Sequence, residues 1–115
     1  AAACGDALPS PQVVTMTADG VQAAAAVRDG RFVVGRPLPV LVQLCGAEPV
    51  TLLRFDADMP AHRHGMNYRP TIKALQPGIW EVQGVLLHMP GSWRLIVEVQ
   101  RGNQQQRLTQ VLEVP

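Results

Sequence analysis

Charge of either sign is scarce in this 115-residue chain. Ten Lys and Arg stand against nine Asp and Glu, a formal net charge of +1, and only 17% of the residues are charged. That balance provides no field to hold phosphate backbones or anionic lipid, so nucleic acid is not an expected partner. Long hydrophobic runs are missing as well. No stretch approaches the about 18 apolar residues of a membrane span, and no charged head with an apolar run opens the chain. Neither a transmembrane segment nor an intact signal peptide is expected, and the chain as given reads as soluble.

Serine is nearly absent. Ser10 lies near the N-terminus and Ser92 in a Pro-Gly turn beside Trp93, which is poor material for a Ser-His-Asp system. No glycine loop suited to phosphate and no oxygen-rich calcium loop occurs. Asp56 and Asp58 share a strand face, but beside Arg54 and Arg63 they read as surface ion pairs rather than as an acid and a base. The chain is not expected to be an enzyme.

Cysteine occurs twice, as Cys4 and Cys45, without the C-x-x-C spacing of a zinc or thioredoxin-like site. Cys4 is open to more than one reading. Ala1-Ala2-Ala3-Cys4 resembles the end of a bacterial lipoprotein signal, whose Cys becomes the lipidated first residue. A disulfide to Cys45 would instead pin the N-terminus to a core strand, with a contribution of roughly 4 kcal/mol from loop closure. Both readings place the protein outside the cytoplasm. Two unrelated free thiols, with Cys45 a small buried apolar residue, are the third reading.

What is present in quantity is short apolar segments and punctuation: 47% hydrophobic residues, ten Gly and ten Pro. Residues 1–10 are small, contain Pro and lack periodicity, and read as a flexible tail; residues 11–115 read as one domain. Eight segments have strand character. They are Gln12–Thr17, Val21–Arg28, Leu38–Cys45, Thr51–Ala57, Thr71–Leu75, Ile79–His88, the alternating Trp93–Val99 and Gln106–Val114. The four alanines in Val21–Arg28 sit between two Asp-Gly pairs in a segment too short for a comfortable helix, so a strand is preferred. In Thr51–Ala57, Leu53, Phe55 and Ala57 share the core face; in Ile79–His88, Trp80, Val82, Leu86 and His88 are in phase. Seven or eight antiparallel strands at this spacing predict an all-β, immunoglobulin-like sandwich.

The chemistry-bearing residues are bunched. Of three His and four Met, six lie between residues 59 and 89: Met59, His62, His64, Met66, His88 and Met89. His62, His64 and Met66 are spaced i, i+2, i+4, which aims all three to one side of an extended backbone, and Gly65 lets the loop bend. His88 and Met89 end a strand where a sandwich places its loops, so the two bunches are expected to meet. Imidazole and thioether are neutral, soft donors suited to copper, Cu(I) above all, and a methionine survives an oxidising compartment in which a cysteine ligand would become a disulfide. Zinc would more often show Cys, carboxylate or a third His in tetrahedral spacing. Each residue also has a plainer reading. Met59 and Met89 each precede Pro and suit packing, His88 suits a hydrogen-bonded core position, and His62-Arg63-His64 suits a solvated loop.

The segments DMPAHRHGMNYRP and GVLLHMPGSWRLIVEV resemble the YtkA-like or FixH-like family of small bacterial extracytoplasmic domains. The shared pattern is a Met-Pro, a His-Gly loop, and a strand ending Met-x-Gly before a Trp. Here those positions are Met59, Pro60, His64, Gly65, Met89, Gly91 and Trp93, and the similarity runs from Leu38 to the end. The resemblance implies an immunoglobulin-like sandwich related to periplasmic copper carriers. It faces the periplasm or cell surface and is associated with copper handling and the assembly of haem-copper oxidases. The chain departs from tethered members in having no membrane helix. The combined expectation is a copper-binding protein that passes its ion to a copper-accepting membrane or periplasmic protein, with Tyr68 and Trp93 shielding the site. The alternative is a metal-free interaction module that docks on a membrane complex.

Overall fold

Two Asp-Gly pairs decide what the run of four alanines becomes. Asp19 and Gly20 both adopt positive φ, 47° and 82°, as a two-residue type I′ hairpin turn requires and as Asp and Gly supply at least steric cost. The turn joins β1 (Val13–Ala18) to β2 (Val21–Val27), paired from Ala18↔Val21 to Val13↔Ala26. Asp29, at φ 58°, turns the chain again, and the alanines form the expected strand.

The structure, a computed structural model, describes residues 3–115; Ala1 and Ala2 of the lipoprotein-like opening lie outside the described residues. The remaining strands are β3 (Leu38–Cys45), β4 (Thr51–Met59), β5 (His64–Gly65), β6 (Thr71–Gln76), β7 (Ile79–Val85), β8 (Gly91–Arg101) and β9 (Gln104–Val114). They form two antiparallel sheets, ordered β1-β2-β3-β7-β6 and β5-β4-β8-β9. The fold is the expected all-β sandwich, its core filled between the sheets by Phe55, Val40, Val82, Leu95, Val97 and Leu108. Among the described residues nine strands replace the seven or eight expected. The extra one, β5, is two residues long and falls in the loop expected to carry His62 and His64. No helix among the described residues is long and apolar enough to cross a membrane.

β2 and β3 are buried on both faces. One face meets the opposite sheet; the other is covered by the N-terminal segment, where Leu8 packs on Ala24, Ala26 and Leu41. Gly5, at φ 97°, lies so close that a Cβ there would stand 2.8 Å from both Ala24 Cβ and Val13 Cγ1. Small residues at 24 and 26 let the segment lie flat. Cys4 is joined to Cys45 by a disulfide, Cα to Cα 6.1 Å; Gly5 N–H donates to Gln43 Oε1 at 2.9 Å, and Asp29 N–H to Pro9 O at 2.8 Å. Residues 3–10, read from composition as a flexible tail, are therefore a strap across the sheet. Composition does not show this because the strap is held by one covalent bond, hydrogen bonds from backbone N–H groups and the packing of Leu8, none of which needs periodicity. A Cys4 sulfur bonded to Cys45 also has no valence left for a lipid thioether.

Two strand phases differ from the sequence reading, and both differences are β-bulges. Along β4, Leu52 faces Val99 while Arg54 faces Glu98, so one extra residue turns Leu53 outward (43% exposed) and Leu52 inward (5%). Along β7, Val82 faces Val40 and Val85 faces Leu38, with the extra residue at Gln83-Gly84 and Gly84 at φ 90°. Beyond it Val85 and Leu87 point to the core, and His88 is exposed. The expected phase of His88 with Val82 is overturned, and with it the core-histidine reading.

The disulfide is checked by thiol titration of unreduced, denatured protein, in which no thiol should react; two reacting thiols contradict it. Reduction and alkylation should lower unfolding free energy by roughly 2–4 kcal/mol.

Candidate metal centre

Strand β4 ends at Met59, and Pro60 starts the turn that follows. His62 N–H donates to Met59 O at 3.1 Å, and β5 then pairs back, His64 against Met59 and Gly65 against Asp58. Arg63 closes this four-residue loop at φ 54°, the one described residue other than Gly or Asp with positive φ. A side chain larger than Asn or Asp is disfavoured there, so the surrounding pairing must hold it. Asp58 supplies part of that hold. It pairs with Gly65 on one side and takes a two-pronged hydrogen bond from Arg94 on the other, Nε to Oδ1 at 2.9 Å and Nη2 to Oδ2 at 2.6 Å. The hydrogen bond to Asp58, with its charge, raises the Arg94 pKa against opposing desolvation. Asp56 is paired with Arg54, which also reaches Glu98. Both aspartates are thus in ion pairs, and Asp58 takes Arg94 rather than Arg63.

The second bunch arrives from the other sheet. After the Gly84 bulge, Leu87 is buried and bridges Val34, which leaves His88 facing out and Met89 half-buried. Trp93, 0% exposed, donates its indole N–H to Met89 O at 2.9 Å and so fixes the turn between β7 and β8. Met59, 1% exposed, lies beneath that turn. Gly91, at φ 135°, makes room for it: a Cβ at residue 91 would stand 2.7 Å from the Met59 methyl.

The two bunches meet. The rings of His64 and His88 are centred 5.9 Å apart, nearly perpendicular; His62 and His64 are 6.3 Å apart; and His88 sits edge-on to Trp93 at 5.5 Å. A metal–nitrogen bond of about 2.0 Å puts the ion roughly 3.2 Å from a ring centre, so rings sharing an ion are centred from about 5 Å at a tetrahedral angle to about 6.4 Å at a linear one. Both spacings fall in that range. Among the described residues no three His, Cys, Asp or Glu side chains converge as metal ligands.

Not every sequence-predicted residue joins them. The left-handed Arg63 interrupts the extended backbone that was to align His62, His64 and Met66. Met66 packs partly against the core and lines a groove with Arg54, Phe55, Asp56 and Tyr68 that no histidine borders. Tyr68 is 72% exposed and lines that groove rather than the histidines, contrary to the expected shield, while Trp93 lies against His88. Sequence reasoning missed the positioning roles of Asp58 and Arg94, whose only signal was opposite charge on adjacent strands.

Urea or thermal unfolding checks these placements. His88→Ala should change the stability of the metal-free protein by no more than about 0.5 kcal/mol, as for an exposed side chain. Gly91→Ala should cost roughly 1–3 kcal/mol through strain and overpacking against Met59.

No family model matches the chain, and neither a curated protein nor a solved structure matches it. The family resemblance stands on the quoted residues alone.

Proposed function

We propose that this protein binds a copper ion outside the cytoplasm, in the periplasm or at the bacterial cell surface, and passes it to a copper-accepting partner. The observation that carries this reading is the 5.9 Å approach of His64 and His88, two exposed imidazoles brought from different sheets to one end of the sandwich. Met89 and Met59 lie against the same turn and offer thioether sulfur to complete the shell. Imidazole and thioether bind Cu(I) without losing a proton, whereas hard cations prefer oxygen donors. The disulfide accords with an oxidising compartment, in which methionine is the durable sulfur ligand. His62 is a third imidazole donor, and Met66, facing another groove, is the weakest member of the set.

The second reading, a metal-free module that docks on a membrane complex, has the exposed Tyr68 beside its groove in its favour. Competition for Cu(I) against a chromogenic chelator separates the two. The wild type should take up one ion per chain, and at free copper about 100 times the dissociation constant it should gain roughly 2.7 kcal/mol of stability. His64→Ala and His88→Ala should each lose most of the accompanying rise in melting temperature. Copper uptake by the wild type no greater than by His62→Ala/His64→Ala supports the module instead.

A further inference from the structure

Three imidazoles at one end of a sandwich would ordinarily be read as one three-nitrogen site, but their placement is different. His64 stands 6.3 Å from His62 and 5.9 Å from His88, and the three do not converge on a common point. We infer that the histidines form two overlapping positions that share His64: an outer one between His62 and His64, and an inner one between His64 and His88 in which the ion is retained. This inference rests on the copper reading above and assigns roles within that site.

The surroundings of the rings set the direction. His62 lies in the exposed turn between β4 and β5, beside the left-handed Arg63, with its backbone N–H bonded to Met59 O and its ring 6.3 Å from that of His64. His88 stands against the buried Trp93, next to Met89, whose carbonyl Trp93 holds. Met89, half-buried and next to His88 in the chain, offers a thioether as third donor to an ion between His64 and His88, whereas His62 is flanked by Ala61 and Arg63. The inner position therefore has the larger possible donor set, and the outer position the better access.

Transfer between them is a single ligand exchange. With His64 bound throughout, one copper–nitrogen bond, to His62, breaks as one, to His88, forms. Each nitrogen binds as an imidazole lone-pair donor and the ion stays Cu(I), so the exchange needs no oxidant or reductant. The same exchange run backwards presents the ion at the outer turn for an acceptor. His62 then governs how fast copper enters and leaves, while His88 governs how tightly it is kept.

The test measures two quantities for the wild type, His62→Ala, His64→Ala and His88→Ala: Cu(I) affinity by chelator competition, and the rate of Cu(I) release to excess chelator by stopped flow. His62→Ala should keep its affinity within about threefold and release copper at least tenfold more slowly. His88→Ala should lose affinity at least tenfold, and His64→Ala should lose both positions. Far-ultraviolet circular dichroism checks that each variant, changed only at an exposed side chain, is folded. A His62→Ala variant that loses affinity as much as His88→Ala makes His62 an ordinary ligand and overturns the two-position arrangement; so does one whose release rate is unchanged. Failure of the wild type to bind Cu(I) overturns the copper reading itself.

Discussion

The indole of Trp93 is the residue on which the candidate site depends. It is fully buried, and its one N–H finds its acceptor in the Met89 carbonyl; left unpaired at that depth it would cost on the order of 1–3 kcal/mol. Burying the ring and satisfying the N–H fixes the turn between β7 and β8. From that turn follow the outward position of His88, the seat of Met59 under Gly91, and the approach of His88 to His64. The opposite side is held by the Asp58–Arg94 hydrogen bonds, which link β8 to the strand that carries the His62–His64 loop. Packing around Trp93 brings the imidazoles together.

At the other face of the molecule the constraint is covalent. The disulfide ties residues 3–10 across β2 and β3 and turns a face of small side chains into a second buried layer. A strap of this kind suits a compartment in which cystine persists. It stabilises the sheet from which β7 hangs, although it lies far from the histidines in sequence.

Most of the fold was legible because period-two alternation and Asp-Gly turns act locally. β1, β2, β3, β8 and β9 follow from residues that can be read without tertiary knowledge. Leu53 and His88 could not be placed in this way. A bulge inserts one residue and reverses every side chain beyond it, and only the partner strand shows where the insertion falls; Gly84 is a signal for one of the two. The strap was legible only as one reading of Cys4, because its other holds, backbone amides and the single Leu8, leave no periodic signal. In the site, the meeting of the 59–66 and 88–89 bunches was legible from their crowding. The separation of Met66 from the histidines was not, since it depends on the left-handed turn at Arg63.

The central claim is that one copper ion is shared by imidazoles from two different segments. X-ray absorption on protein loaded with one equivalent of Cu(I) tests this most directly, because imidazole rings and thioether sulfur scatter distinctly. The account predicts two imidazole nitrogens about 2.0 Å from copper, with one sulfur beside them, and in His88→Ala, where the ion is left at the His62–His64 position, the loss of that sulfur. A spectrum with a single imidazole in the wild type, or one left unchanged by His88→Ala, would contradict it.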